Sequence, residues 1–122
     1  MKKIVDIFKA LAEESRLRIL SLLLQDEMCV CEIEECLNMT QSNVSRHLTS
    51  LKQCGILDSS KKAQWAYYKI SDKFKEENKD LWHYIEQKLK ESPNYKEDAE
   101  KYFKCRQKDM CNTKSEKEEE VL

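Results

Sequence analysis

The sequence predicts a mainly helical chain interrupted by one small β-hairpin. Three observations lead there. The 122 residues include one glycine and one proline, against many leucines, lysines and glutamates, a composition that favours helix. Apolar residues recur at helical spacing through much of the chain. Between Leu57 and Ile70 that period changes, and Trp65, Tyr67 and Tyr68 are strand formers beside a polar turn.

Taken in order, Ile4, Ile7, Phe8 and Leu11 mark a first amphipathic helix over residues 3–12. Ser15 is placed to cap a second, whose broad apolar face carries Leu17, Ile19, Leu20, Leu23 and Leu24. Asp26 and Glu27 suit the N-terminus of a short third helix from Cys29 to Leu37, with Asn38 as its stop. Thr40 reads as the N-cap of a fourth helix that ends at Gly55, a good C′ residue. Residues 59–64 form the polar turn of the hairpin. Ser71 caps a long helix with Phe74, Leu81, Ile85 and Leu89 on one stripe, and Pro93 follows its end. Lys96 to Cys105 adds one more helical piece, and the charge run from Ser115 to Glu120 is expected to be disordered. The expected division is therefore a domain over residues 1–92 and a charged, partly disordered tail over residues 93–122 with two cysteines. Two short helices joined by a tight turn and followed by a basic hairpin describe a winged helix-turn-helix.

Charge supports a nucleic-acid partner by its distribution, not by its sum. The net charge is −1. From Asp26 to Cys36 every charged residue is acidic, whereas from Thr40 to Ile70 Arg46, Lys52, Lys61, Lys62 and Lys69 stand against Asp58 alone. Such a local basic stretch is what phosphate binding needs. No apolar run approaches the roughly 18 residues of a membrane span. The N-terminus is charged again too soon for a secretory signal, so a cytoplasmic protein is expected.

In the fourth helix Val44, Leu48 and Leu51 share the core-facing side. At about 100° per residue, the opposite face presents Ser42, Arg46, Thr49 and Gln53, flanked by Asn43 and Ser45, with Gln41 leading the first turn. Recognition helices reach base edges with their N-terminal residues, and Gln, Ser and Arg are suitable readers. Lys61 and Lys62 at the hairpin tip would meet phosphate or the minor groove. His47 falls on the core side and is left out of base readout. The apolar stripes of the first and last long helices exceed what a small core buries, so a homodimer is expected. Such a dimer would present two reading helices to successive major grooves.

Six cysteines in a reducing compartment point to metal binding or redox chemistry more than to structural disulfides. Cys54, inside an apolar run, reads as a small hydrophobe.

The segment Leu11-Ala12-Glu13-Glu14-Ser15-Arg16-Leu17-Arg18-Ile19-Leu20 resembles the opening of the ArsR/SmtB family of metal-sensing repressors. Gln41-Ser42-Asn43-Val44-Ser45-Arg46-His47-Leu48 is similar to that family's recognition helix, and Trp65-Ala66-Tyr67-Tyr68-Lys69-Ile70 to its wing strand. Glu27-Met28-Cys29-Val30-Cys31-Glu32-Ile33 resembles the Glu-Leu-Cys-Val-Cys-Asp-Leu motif of the branch that binds arsenite, or cadmium and lead. The resemblance spans about residues 3–91. It implies a dimeric repressor, not an enzyme, that needs no cofactor to bind operator DNA and leaves it when metal(loid) binds, controlling a resistance operon. This chain departs from the pattern in three places. Glu34 stands where the arsenite-sensing pattern has a third cysteine, Ala63-Gln64 replaces a glycine at the wing tip, and Asp80 and His83 are one residue too far apart for the zinc-sensing motif.

Soft thiolates select arsenite, antimonite, cadmium or lead over hard ions. On a regular helix Cys29 and Cys31 point about 200° apart, so sharing one ion would require the first turn to unwind. The third thiolate would come from Cys36, from Cys105 or Cys111 in the tail, or from a small cellular thiol. Alternatives on the same fold are a cadmium, lead or zinc sensor and a redox sensor working through Cys29/Cys31 or Cys105/Cys111. A thiol enzyme would need a Cys-x-x-Cys pair or a base beside the thiol, and the sequence offers neither.

Overall fold

The computed structural model describes residues 1–108. Its elements run α1 (Lys2–Leu11), α2 (Glu14–Leu23), β1 (Met28–Cys29), α3 (Val30–Leu37), α4 (Gln41–Gln53), β2 (Leu57–Lys62), β3 (Trp65–Ile70), α5 (Asp72–Glu77), α6 (Lys79–Glu91) and α7 (Pro93–Lys108). This is a winged helix-turn-helix: α3 and α4 form the helix pair, and the β2–β3 hairpin is the wing. The three strands make one antiparallel sheet in the order β1-β3-β2. No helix among the described residues is long and apolar enough to cross a membrane.

The core is built from α2, α3 and α4, whose Ile19, Leu20, Leu22, Ile33, Val44, Leu48 and Leu51 are fully buried with Met28, Ile56 and Leu57. The limits of α4 follow from its caps. The Thr40 hydroxyl accepts the Asn43 N–H at 3.3 Å. At the other end Gly55, at φ +86°, lets Ile56 N–H reach the Leu51 carbonyl and Gly55 N–H the Lys52 carbonyl. That is a Schellman closure, which requires the left-handed residue. Asn38 ends α3 at φ 53° in the same way.

Four expectations are corrected. The third helix starts at Val30, not Cys29, because Met28 and Cys29 pair with Tyr68 and Tyr67 as an edge strand. The second helix starts at Glu14, so Ser15 lies inside it and is not its cap. The helix that Ser71 caps stops at Glu77, where Asn78 leaves helical geometry at φ −132° and α6 starts again at Lys79. Phe74 and Ile85 both stay in the core despite the break. The polar turn shrinks to Ala63 and Gln64, since Ser59 to Lys62 are paired strand residues.

The segment expected as a tail divides. Residues 93–108 form α7, 16 residues long, which packs on α2 and α3 and buries Asp98, Tyr102 and Cys105. Arg18 donates to Asp98 at 3.0 Å and Tyr102 to Asp26 at 3.4 Å, so polar ties accompany the apolar ones. Cys111 and the Ser115 to Glu120 charge run lie outside the described residues.

The hairpin turn holds Ala63 at φ 54°, a left-handed conformation that costs an L-residue roughly 1–2 kcal/mol. Ala63→Gly is expected to remove that cost and raise the thermal midpoint by roughly 2–5 °C, with glycine's larger unfolded-state entropy offsetting part of the gain. Calorimetry of the two proteins checks it; a lowered midpoint would mean that the turn is not strained.

Candidate functional site

One exposed face of α4 carries Gln41, Ser42, Asn43, Arg46, Thr49 and Gln53, with Ser45 half-buried at its edge. Val44, Leu48 and Leu51 hold the opposite face at 0% exposure, so the helix cannot turn over. Arg46 leans on Asn43, whose side-chain oxygen accepts at 3.4 Å, and otherwise projects outward. Lys61 is exposed near the wing tip. Lys62 is exposed too, but it pairs with Glu27 and lies over the Tyr67 ring at 5.4 Å. The wing is thereby tied to the loop just before Cys29.

The cysteines form two separate groups; Cys31 is disulfide-bonded, whereas Cys29, Cys36, Cys54 and Cys105 are free thiols. Cys29 is the N-cap of α3 in extended geometry and Cys31 lies in its first turn, and their sulfurs are 3.0 Å apart. Because Cys29 lies outside the helix, the 200° separation of two helical residues does not apply. No unwinding is needed to bring the sulfurs together. The Glu32 carboxylate, itself buried, accepts the Cys29 N–H at 3.0 Å and completes a capping box in which cysteine replaces serine or threonine. Burial, reinforced by that carboxylate, pushes the Cys29 thiol up to about 11.

A cavity of about 360 Å³ opens over this pair. Its lining includes Cys29, Cys31, Glu34, Trp65 and Ala66, together with Gln41, the first residue of α4. Cys31 and Trp65 also pack against Cys29 and Tyr67 in a small cluster apart from the main core. The sequence alone did not mark Glu32, Trp65 or Gln41 as neighbours of the thiols. Only the Cys-x-x-Glu spacing, a capping box in disguise, carried a signal for Glu32.

The second group joins residues 69 positions apart. Cys36 on α3 and Cys105 on α7 are both buried, with sulfurs 2.8 Å apart. Burial and the neighbouring Cys105 sulfur push the Cys36 thiol strongly upward. A cavity of about 280 Å³ lined by Glu34, Glu35, Lys101 and Lys104 gives access to the pair. Cys54 is half-buried, donates to the Leu51 carbonyl, and is raised by burial. Among the described residues no group of three or more His, Cys, Asp or Glu side chains is arranged to hold a metal ion. Asp80 and His83 are exposed on α6.

A sequence model of the bacterial regulatory proteins of the arsR family matches residues 5–59. The arsenic resistance transcriptional regulator ArsR1 of Pseudomonas putida is 42% identical over 65 residues, 52% of this chain and 51% of that protein. The chain thus spans about half the length of that relative. HlyU from Vibrio cholerae superposes with a TM-score of 0.58 at 36% identity, covering 69% of this chain and 91% of that one. The homodimeric winged helix-turn-helix DNA-binding domain Mb0332 from Mycobacterium bovis gives 0.61 at 28% identity, over 69% of this chain and 78% of its own. The arsenical resistance operon repressor of Bacillus subtilis is 37% identical over 73 residues, 59% of this chain and 70% of that protein, and the chain belongs to the ArsR family of transcriptional regulators.

Proposed function

We propose that the chain is a homodimeric repressor that binds operator DNA through α4 and the wing and releases it when arsenite or antimonite binds Cys29 and Cys31. One observation carries this reading: the cavity over the two sulfurs is walled by Gln41 of the reading helix and by Trp65 and Ala66 of the wing. Cys29 also lies in a strand paired to β3, so any movement of its sulfur pulls on the wing directly. An ion seated there strains both DNA-contacting elements at once. It favours the released state by its differential affinity for that state.

Trivalent arsenic takes three sulfurs: arsenous acid exchanges three hydroxyls for three thiols and loses three waters. Cys29 and Cys31 supply two once Cys31, disulfide-bonded in this structure, is reduced. Cys36 and Cys105 are engaged with each other. Cys111 and small cellular thiols remain as sources of the third. The dimer contact falls to residues the protomer leaves open, namely Ile4 at 50% exposure, Phe8 at 51% and Tyr84 at 60%, together with Val5. Ile7, Phe74, Ile85 and Leu89 are already spent on the protomer's own core.

The test is a gel-shift series on DNA upstream of the chain's own gene, titrated separately with arsenite, antimonite, cadmium, lead, zinc and peroxide. Release by arsenite or antimonite at the lowest concentrations is expected. Release by cadmium or lead alone would move the chain to the divalent-ion sensors.

A second reading, redox sensing, is favoured by the Cys36–Cys105 contact. Peroxide would take two electrons and two protons from the pair, forming one S–S bond and two waters, and would staple α7 to α3. Peptide mapping of the oxidised protein is then expected to find a Cys36–Cys105 disulfide, absent from Cys105→Ser. Operator binding that is indifferent to this change would remove redox sensing from the function.

A further inference from the structure

His47 is 2% exposed on the inner side of α4, directly after Arg46. Its Nδ1 accepts from Arg16 Nε at 3.2 Å, and its Nε2 lies 3.4 Å from a Glu13 carboxylate oxygen. Arg16 closes the triangle by pairing with Glu13 at 3.4 Å and by reaching the Lys9 carbonyl at 3.5 Å. One polar knot therefore joins the end of α1, the start of α2 and the middle of α4. The rest of the inner face of α4 is apolar, through Val44, Leu48 and Leu51. Apolar burial keeps that face of the helix inward, but being non-directional it sets the fine roll less sharply than directional bonds do. Hydrogen bonds at defined ring atoms do fix it.

We infer that Glu13, Arg16 and His47 form a clamp that sets the roll of α4 and so aims Arg46 and its neighbours at base edges. His47 is a positioning residue and touches no DNA. The inference rests on α4 being the reading helix. With Nδ1 accepting from Arg16, the ring is neutral and its proton sits on Nε2, facing Glu13. Protonation would place a second N–H against the Arg16 guanidinium. Burial, with Arg46 on its own helix and Arg16 on α2, holds the ring below the ordinary histidine range, against the opposing pull of Glu13. The clamped form is complete above about pH 6.5 and is lost as pH falls below it.

The experiment measures affinity for operator and for a scrambled duplex, together with thermal unfolding, in His47→Leu, His47→Gln, Arg16→Met and Arg46→Ala. Leucine fills the buried site and leaves Glu13 and Arg16 paired with each other, so the midpoint is expected within roughly 3 °C of wild type. Its preference for operator over scrambled DNA should fall about ten-fold, the order of one lost base contact. Arg16→Met, which keeps the aliphatic stem and removes the donor, should do the same. Glutamine offers both an acceptor and a donor and should restore most of the preference. Between pH 7.5 and 5.5 the wild-type preference should decline while that of His47→Gln stays level. Wild-type preference in His47→Leu overturns the clamp, and so does a loss that tracks the fall in midpoint or pH profiles that coincide. If Arg46→Ala binds operator normally, the reading-helix assignment itself fails. If Arg46→Ala loses binding and His47→Leu does not, only the clamp fails.

Discussion

An Arg46→Ala protein is expected to bind its operator ten- to a hundred-fold more weakly while remaining folded and dimeric, the loss of about 1–3 kcal/mol that one bidentate base contact carries. Arg46 is exposed and donates to the exposed Asn43 side chain at 3.4 Å, so its removal leaves no buried group unpaired. Its guanidinium projects from the α4 face opposite Val44, Leu48 and Leu51, which are wholly buried. A base contact and a phosphate contact separate in this variant. Losing a base reader relaxes specificity at one position, whereas losing a phosphate ligand weakens all sequences alike and lowers the salt slope by about one. Fluorescence anisotropy on operator and scrambled duplexes at two salt concentrations distinguishes them, with sedimentation to verify the dimer. Unchanged operator affinity would take α4 out of the reading role.

Why α4 was legible in the sequence and the thiol site was not is a matter of range. The helix declares itself locally: Thr40 and Gly55 punctuate it, and Val44, Leu48 and Leu51 give its period, so its outer face follows from about 100° per residue. The wing strands announce themselves through Trp65, Tyr67 and Tyr68. Cys29 was misplaced because a strand of two residues has no period of its own and exists only by pairing with Tyr67 and Tyr68, far along the chain. With Cys29 drawn into the helix, periodicity turns its sulfur away from Cys31. The break at Asn78 hid for a similar reason, since the stripe through Phe74, Leu81, Ile85 and Leu89 reads continuously across it. The contact of Cys36 with Cys105 depends on α7 folding back over α3, which no local pattern encodes. His47 was correctly assigned to the core by its phase, but its partners come from the α1–α2 corner, and phase alone does not name them.

Cys29→Ser and Cys31→Ser proteins are each expected to bind operator like wild type and to stay bound at arsenite concentrations that release it. Serine keeps the N-cap role at position 29, where it is a preferred residue, so α3 and its packing should survive. What it removes is the soft ligand. With one sulfur of the 3.0 Å pair gone, arsenite retains a single thiolate over the cavity and no longer bridges β1 and α3. The response should shift by at least about a hundred-fold in arsenite, the order of a lost ligand worth roughly 3 kcal/mol. Cys36→Ser should leave arsenite release intact, because its sulfur faces Cys105 and belongs to the other cavity. The pH dependence adds an independent check on the ion. Cadmium must displace the Cys29 proton, held up to about 11, so cadmium-driven release should weaken by up to about ten-fold for each unit that pH falls and each thiol engaged. Arsenous acid carries off the thiol protons as water, so arsenite-driven release should change little over the same range. Normal arsenite release by Cys29→Ser would sink the pairing of Cys29 with Cys31 as the inducer site, even if both variants still read the operator.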